Sequence, residues 1–373
     1  MCTLQERKVA WSGSTIGNDE LEEIINSFEN LRLTQGAKVR QFEEVLTKVF
    51  DVPYVIAVSN GSIALEIMLQ IYGIGQGDEV IVPSNTYFAT AAAVSRRGAT
   101  PVFVDMCPLT QSVNPDLLEA ACSRATKAVL YIDYGGFPTD FEKLKIKCEQ
   151  LGLKLLHDGA QSLGGYYKER PLLSLAETTT TSFHMAKLIT TVEGGALFTH
   201  NEEVALKARS YRSQGEIEKY IHAYLGTNAR MTDIMAAIGI HQLKKLGAIV
   251  EKRRQVFNWY KQYLDSNKHI QVLCNQLKEA EQSNFIIALL AERRNDLAVY
   301  LKNNGIETRV CYPMPVYEQP VYRKGNLPIR IMPSLETEKL CKNVINPPVY
   351  PTLSEEDVQY VCGCINEFYG IYS

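Results

Sequence analysis

A lysine on a tight connection between two strands can do chemistry that a solvated lysine cannot, and Lys187 stands in such a connection within TTTTSFHMAKLITTVEGGALFT, residues 178–199. β-branched and aromatic residues suit a pleated, half-buried surface, so residues 178–183 and 195–199 are expected to be strands. An amine held between two rigid flanks loses water, which favours its neutral form. The neutral amine is the form that attacks a carbonyl. Two further groups share this interest. Asp158 directly follows KLLH and precedes Gly159, Ala160 and Gln161, so it reads as a carboxylate emerging from a strand end. Ser59, Asn60, Gly61 and Ser62 lead from a short apolar run into a helical pattern at 63–71. A helix N-terminus there offers free N–H groups and a positive dipole end to an anion such as phosphate. Taken singly, each has an ordinary reading: a solvated loop lysine, a turn aspartate and a plain helix cap.

The elements that must position these groups alternate. Strands are expected at 54–58, 79–83, 100–104, 128–132 and 153–157, with helices at 63–71, 86–98, 117–125 and 140–151 among them. Near-continuous apolar strands separated by helices predict an α/β fold with a mainly parallel sheet covered on both faces. Ligands of such sheets bind beyond the carboxyl ends of the strands, where Asp158 stands. Asn18 begins a helix with Leu21, Ile24, Ile25 and Phe28 at helical spacing, and a second helix follows Gly36. Helices at 202–211 and from 226 to about 264 lead to a strand-like run at 284–290, a helix at 297–304 and a strand at 307–312. Proline is frequent between 313 and 351, which suits loops at the surface or at the mouth of a site. Ser354 caps the last helix. A chain of 373 residues exceeds one ordinary core, so two domains are expected. These are a large one at 1–251, including the N-terminal helical segment, and a smaller C-terminal α+β one at 252–373.

Composition narrows the function. A net charge of -3 gives no basic stripe for nucleic acid and no polybasic membrane anchor. No segment approaches the ~20 apolar residues of a membrane span, and MCTLQERKVAW lacks the apolar run of a leader, so a cytoplasmic protein is expected. The nine cysteines (Cys2, Cys107, Cys122, Cys148, Cys274, Cys311, Cys341, Cys362 and Cys364) have no CxxC spacing, so neither a disulfide framework nor a metal site is expected. Most of them read as small buried hydrophobes.

Seven stretches then match one family in order: NGSIAL (60–65), GDEVIVPSNTYFATAAAV (77–94), GATPVFVD (98–105), HDGAQSLG (157–164), SFHMAK (182–187), EGGALFT (193–199) and NARMTDIMAAIG (228–239). Together they resemble the DegT/DnrJ/EryC1/StrS aminotransferases, fold-type-I pyridoxal phosphate (PLP) enzymes that aminate keto-sugars, over nearly the whole chain. The resemblance implies that Lys187 forms a Schiff base with PLP and, once displaced by the amino donor, shuttles a proton. It implies that Asp158 pairs with the pyridine nitrogen, and that Gly61, Ser62 and Ser182 hold the phosphate. Tyr87 matches the aromatic stacked on one ring face, Ala160 lies on the other, and Gln161 contacts the phenolic oxygen. Asn228 matches an asparagine that reaches the phosphate from the neighbouring subunit, which implies a homodimer with shared sites.

Two substrate-side motifs depart from the family. Asp133 stands where histidine is common, before Tyr134, Gly135, Gly136, Phe137 and Pro138, and the usual HYPxPLH reads CYPMPVY at 311–317. The expected reaction moves an amino group from an L-amino acid, glutamate in the leading case, to a ketone on a nucleotide-linked sugar. Arg212, Arg230, Arg309 and Arg330 are candidate cations for a diphosphate. His184 either contacts substrate or supports its loop, and Glu193, Tyr312 and Tyr317 are further substrate candidates. Three alternatives remain: a cyclitol ketone as acceptor, a sugar dehydratase, or a PLP-binding regulatory protein without catalysis. In the dehydratase relatives a histidine replaces the lysine, so Lys187 argues against that reading.

Overall fold

The computed structural model describes residues 7–29 and 33–371, so Cys2 and most of the stretch read for a leader lie outside the described residues. Two helices open it. α1 (Asn18–Glu29) turns Glu20 inward to Lys245 and Gln242, at 2.7 and 2.8 Å, while Leu21, Ile25 and Phe28 of its apolar set stay exposed. α2 (Ala37–Phe50) buries Val39, Phe42, Leu46 and Phe50.

Strand and helix then alternate as expected: β1 (Tyr54–Val58), α3 (Gly61–Ile71), β2 (Glu79–Pro83), α4 (Phe88–Arg96), β3 (Thr100–Val104), β4 (Thr126–Ile132), α5 (Phe141–Leu151), β5 (Lys154–Asp158), β6 (Thr178–Ser182), β7 (Gly195–Thr199) and α6 (Glu202–Arg212). The long α7 (Asp233–Leu264) follows, then α8 (Arg294–Asn303), β8 (Arg330–Ile331), α9 (Leu335–Asn343) and α10 (Glu355–Phe368). One sheet has the order β1-β7-β6-β5-β4-β2-β3-β8, and within it only β7 runs against the others. Ile132 lies opposite Asp158 and Asp158 opposite Thr180, so the carboxyl ends of β4, β5 and β6 come level. That shared edge is where the chemistry collects.

α7 passes through two cores. Ala236, Ile240, Leu243, Leu246, Ile249 and Val250 pack with Phe42, Phe183 and Phe198, whereas Val256, Phe257, Tyr260 and Leu264 pack with Leu289, Ile345 and Ile365. The second core covers an antiparallel three-stranded sheet made of Ile270–Val272, Leu289–Ala291 and Val344–Ile345. It also takes in residues 7–9. Val9 exchanges backbone hydrogen bonds with Gly305 and Glu307 at 2.9 and 3.0 Å, and Arg7 pairs with Asp357 at 2.6 Å. Residues 7–9 thus pack with the C-terminal region rather than with the segment that follows them.

Three expected elements are shorter. The helix at 117–125 reduces to a 3-10 turn and the single turn Leu118–Ala121, because Ser123 and Thr126 are drawn to the Glu79 carboxylate at 2.6 and 2.8 Å. At 284–290 only the end joins a sheet, since Ser283 and Ile286 bond to the Gly136 and Gly135 carbonyls instead. At 307–312 there is a single bridge, Arg309 to Asn346, before the chain turns into the site. Conversely, β8 adds a strand beside β3 from the proline-rich region, and Asp105 at the end of β3 caps α9 through Glu336 and Thr337 N–H at 2.9 and 2.8 Å.

Candidate active site

Three strand ends bring the chemistry together. Lys187 sits in the β6–β7 connection, where its N–H donates to the His184 carbonyl at 2.8 Å and the Thr190 hydroxyl donates to the Phe183 carbonyl at 3.1 Å. Asp158 ends β5 with both carboxylate oxygens engaged. Thr90 donates its hydroxyl to one at 2.7 Å, with Thr86 2.7 Å behind it, and the Ala160 N–H donates to the other at 3.2 Å. The third strand end is β1, which turns into α3. Asn60 caps that helix by accepting from the Ile63 N–H at 2.9 Å, leaving the first amides of α3 free toward the cavity.

A cavity of about 660 Å3 joins these groups, within the range of ligand sites. Of the expected residues, Gly61, Ser62, Tyr87, Asp158, Ala160, Gln161, Ser182, His184, Lys187, Glu193 and Tyr312 all line it. Tyr87, 60% exposed, stands at its rim with its ring 6.2 Å from that of Tyr312. Gln161 accepts from the Gly135 N–H at 2.7 Å and donates to the Tyr312 hydroxyl at 3.4 Å, which leaves its second amide hydrogen for a ligand. His184 and Glu193 face each other at 3.8 Å across the mouth.

Burial brings Lys187 down to about 8, opposed by the Asp158 carboxylate and the Cys311 thiol. The same burial pushes Cys311 up to about 11 and the Tyr312 phenol well above its ordinary range. Beneath Asp158 lies a buried pair, His157 Nε2 at 2.9 Å from Asp133. Ser162 donates to the same Asp133 oxygen at 2.7 Å and Thr139 N–H to the other at 3.0 Å. Burial alone raises the Asp133 carboxyl, but the His157 charge and these donors outweigh it and hold it low. Asp133 therefore braces the strand end from below and stays out of the cavity.

Six expected site residues lie outside this cavity's lining. Arg212 is 4% exposed, with its guanidinium on Glu43 at 2.6 Å and on the Ala57 carbonyl at 2.9 Å, so it ties α6 to α2 and β1. Tyr317 packs edge-on against Phe103 at 5.8 Å with its hydroxyl toward Glu338, because the turn Val316–Glu318 rotates it into the core. Asn228 and Arg230 are exposed and outside this cavity's lining. Arg330 pairs with Glu79 at 3.0 Å, and Arg309 lies over the Trp11 ring. Conversely, Trp11, Phe285, Ile286 and Cys311 line the cavity unanticipated. Of these only Cys311 carried a signal, as part of the CYPMPVY departure.

The residues present fit a phosphorylated, flat, aldehyde-bearing cofactor. A Cβ on Gly61 would come within 2.8 Å of Ser182 Cβ, and one on Gly195 within 2.5 Å of the Asn60 carbonyl carbon. The anion cradle at α3 is thus as tight as glycine permits, with a buried amine and an anchored carboxylate in the same cavity. Residues 14–366 match the DegT/DnrJ/EryC1/StrS aminotransferase family. The chain belongs to that family. As an aminotransferase of this kind it uses pyridoxal phosphate. Among its relatives, a protein of Geobacillus stearothermophilus called "Pleiotropic regulatory protein" is 34% identical, over 94% of this chain and 93% of its own. The UDP-2-acetamido-2-deoxy-3-oxo-D-glucuronate aminotransferase of Pseudomonas aeruginosa is 31% identical over 88% and 90%. Spr1654 of Streptococcus pneumoniae, solved in a PLP form, superimposes on the aminotransferase with a TM-score of 0.88 at 26% identity, covering 95% of this chain and 97% of that one. Among the described residues no helix is long and apolar enough to cross a membrane, and no group of three or more His, Cys, Asp or Glu could hold a metal ion.

Proposed function

We propose that this aminotransferase moves an amino group from L-glutamate to the ketone of a nucleotide-linked sugar. The observation that carries this reading is one cavity holding Lys187, Asp158 and the α3 N-terminus together. The sugar nucleotide named for the Pseudomonas relative supports the acceptor class. Bound, PLP supplies a pyridinium ring that delocalises the electron pair left when a C–H bond beside nitrogen is broken.

Each residue then has a task. Asp158, fixed by Thr90 and the Ala160 N–H, would accept the pyridine N–H and keep it protonated. The free amides at Gly61 and Ser62, with the Ser62 and Ser182 hydroxyls, hold the phosphate. Tyr87 would cover one ring face, Ala160 is small enough for the other, and Gln161 would donate to the phenolic oxygen. Lys187 would bond the cofactor's aldehyde at rest, and its freed amine would serve as the acid and base that moves a proton within the cavity. Tyr312, His184 and Glu193 meet the substrates at the mouth. Asn228 and Arg230 serve the site of a partner subunit, so the enzyme is a homodimer with shared sites. The division into domains at 251/252 rests on α7 changing cores between Val250 and Val256. Eight free cysteines among the described residues support a reducing, cytoplasmic setting.

Glutamate added to purified holoenzyme is expected to bleach the yellow cofactor band, and a nucleotide keto-sugar to restore it. Lys187→Ala is expected to fold, bind cofactor weakly and lose turnover; appreciable activity in that variant overturns the assignment. The name of the Geobacillus relative favours a second reading, a PLP-binding regulator. A band that no amino acid bleaches would select it.

A further inference from the structure

Lys187 has an aromatic neighbour without a task in this scheme. Its Nζ lies 4.5 Å from the centroid of the Phe285 ring, inside the distance at which an aromatic face attracts a cation. Phe285 is 9% exposed and lines the same cavity. Hydrophobic packing alone does not put it there. Arg253, deep in α7, donates to the Asn284 and Phe285 carbonyls at 3.0 and 2.6 Å. Ser283 donates its N–H to the Gly136 carbonyl at 3.0 Å and its hydroxyl to the Gln161 carbonyl at 3.1 Å. These bonds peel residues 283–286 from the small sheet and lay the ring against the lysine.

The other groups facing the amine are few. The Asp158 carboxylate and the Cys311 thiol favour its charged form, burial opposes them, and the His184–Glu193 pair stands farther out at the mouth. A ring face interacts with an ammonium and hardly at all with a neutral amine. It therefore adds to the proton affinity of Lys187 without offering a base that could take the proton away.

We propose that Phe285 is the seat of the Lys187 ammonium: the ring holds the amine in place while it is not bonded to the cofactor, and sets how tightly it keeps its proton. This rests on the reading of Lys187 as the catalytic lysine. The exchange involves one proton, given up by the ammonium to leave the neutral amine and taken back by the amine's lone pair. Leucine has comparable bulk at position 285 but no π face; tyrosine keeps the face.

The test titrates Lys187 in cofactor-free protein by its rate of acylation with acetic anhydride, read at the Lys187 peptide by mass spectrometry across the pH range in which the amine ionises. Phe285→Leu is expected to lower the midpoint by about one pH unit, a roughly tenfold loss of proton affinity, while Phe285→Tyr keeps the parental midpoint. An unchanged midpoint in Phe285→Leu, or an equal fall in Phe285→Tyr, overturns the proposal. Circular dichroism checks folding, and Phe285→Met carries the same comparison if the leucine variant does not fold. The readout needs no turnover, so it is separable from the function reading. Activity surviving in Lys187→Ala would sink that reading and leave the titration result standing.

Discussion

Burial brings Lys187 to about 8, and such a lysine keeps roughly a tenth of its amines neutral at pH 7 and about half at pH 8. The shift is downward, so the reactive form grows as pH rises through 8 and saturates above it. Capture of cofactor by the apoenzyme, followed by absorbance after rapid mixing, should accelerate about fivefold from pH 7 to pH 8 and less than twofold over the next pH unit. Thr90→Val removes a donor to a buried charged acceptor, a loss of about 1.5–3 kcal/mol, and should lower the melting temperature of the apoprotein as well as cutting kcat ten- to a hundredfold; Thr90→Ser should restore both. Asp133→Asn leaves His157 buried beside a weaker partner. Removing one member of a buried pair costs about 3–5 kcal/mol, so chemical denaturation should show this variant strongly destabilised. That Lys187, Asp158, Gly61 and Ser182 would share one cavity was legible only from the seven motifs taken together, since singly each has an ordinary reading. Arg212 was not. Its partner Glu43 is 169 positions away, and an arginine facing inward looks, in sequence, like one facing out.

The β6–β7 hairpin and the start of α3 are interlocked elements. Gly195 opens β7 against the backbone of Asn60 and Gly61, at 2.5 and 2.6 Å from where a Cβ would stand. Gly195→Ala must push the first turn of α3 away from Ser182. It should weaken cofactor binding at least tenfold, measured by fluorescence titration, and cost about 1–3 kcal/mol in stability. The alternation of strands and helices from β1 to β7 could be read from apolar runs because a doubly covered parallel sheet imposes them. The segment 283–286 could not. Its apolar run is that of a strand, and only the Arg253 guanidinium and the Gly135–Gly136 carbonyls, remote in sequence, divert it into the cavity.

At the scale of the whole molecule, the exposed position of Asn228 and the hairpin before it, with Tyr220 80% and Leu225 91% exposed, suit contact with a second copy. Mixing Lys187→Ala with Asn228→Ala protomers should recover up to about a quarter of parental activity after subunit exchange, since one site in such a hybrid dimer draws on two intact surfaces. No recovery after verified exchange would mean that each subunit works with its own residues. Two domains were expected from length, and α7 packs into two of the cores, yet the chain crosses between these two regions more often than any single boundary allows. Val9 joins the far core, Trp11 returns to the cavity, and β8 comes back from residue 330 to lie beside β3. Protein engineers who build chimaeras usually look for one crossover point, and the middle of α7 invites that choice. A graft made there would import a foreign edge strand for β3 and a foreign helix for Asp105 to cap, while leaving the recipient's own residues 7–9 seeking a partner in the donor. An edge strand mismatched in this way recruits stray chains and aggregates, so a successful hybrid needs its seams placed around β8 and before Trp11 as well.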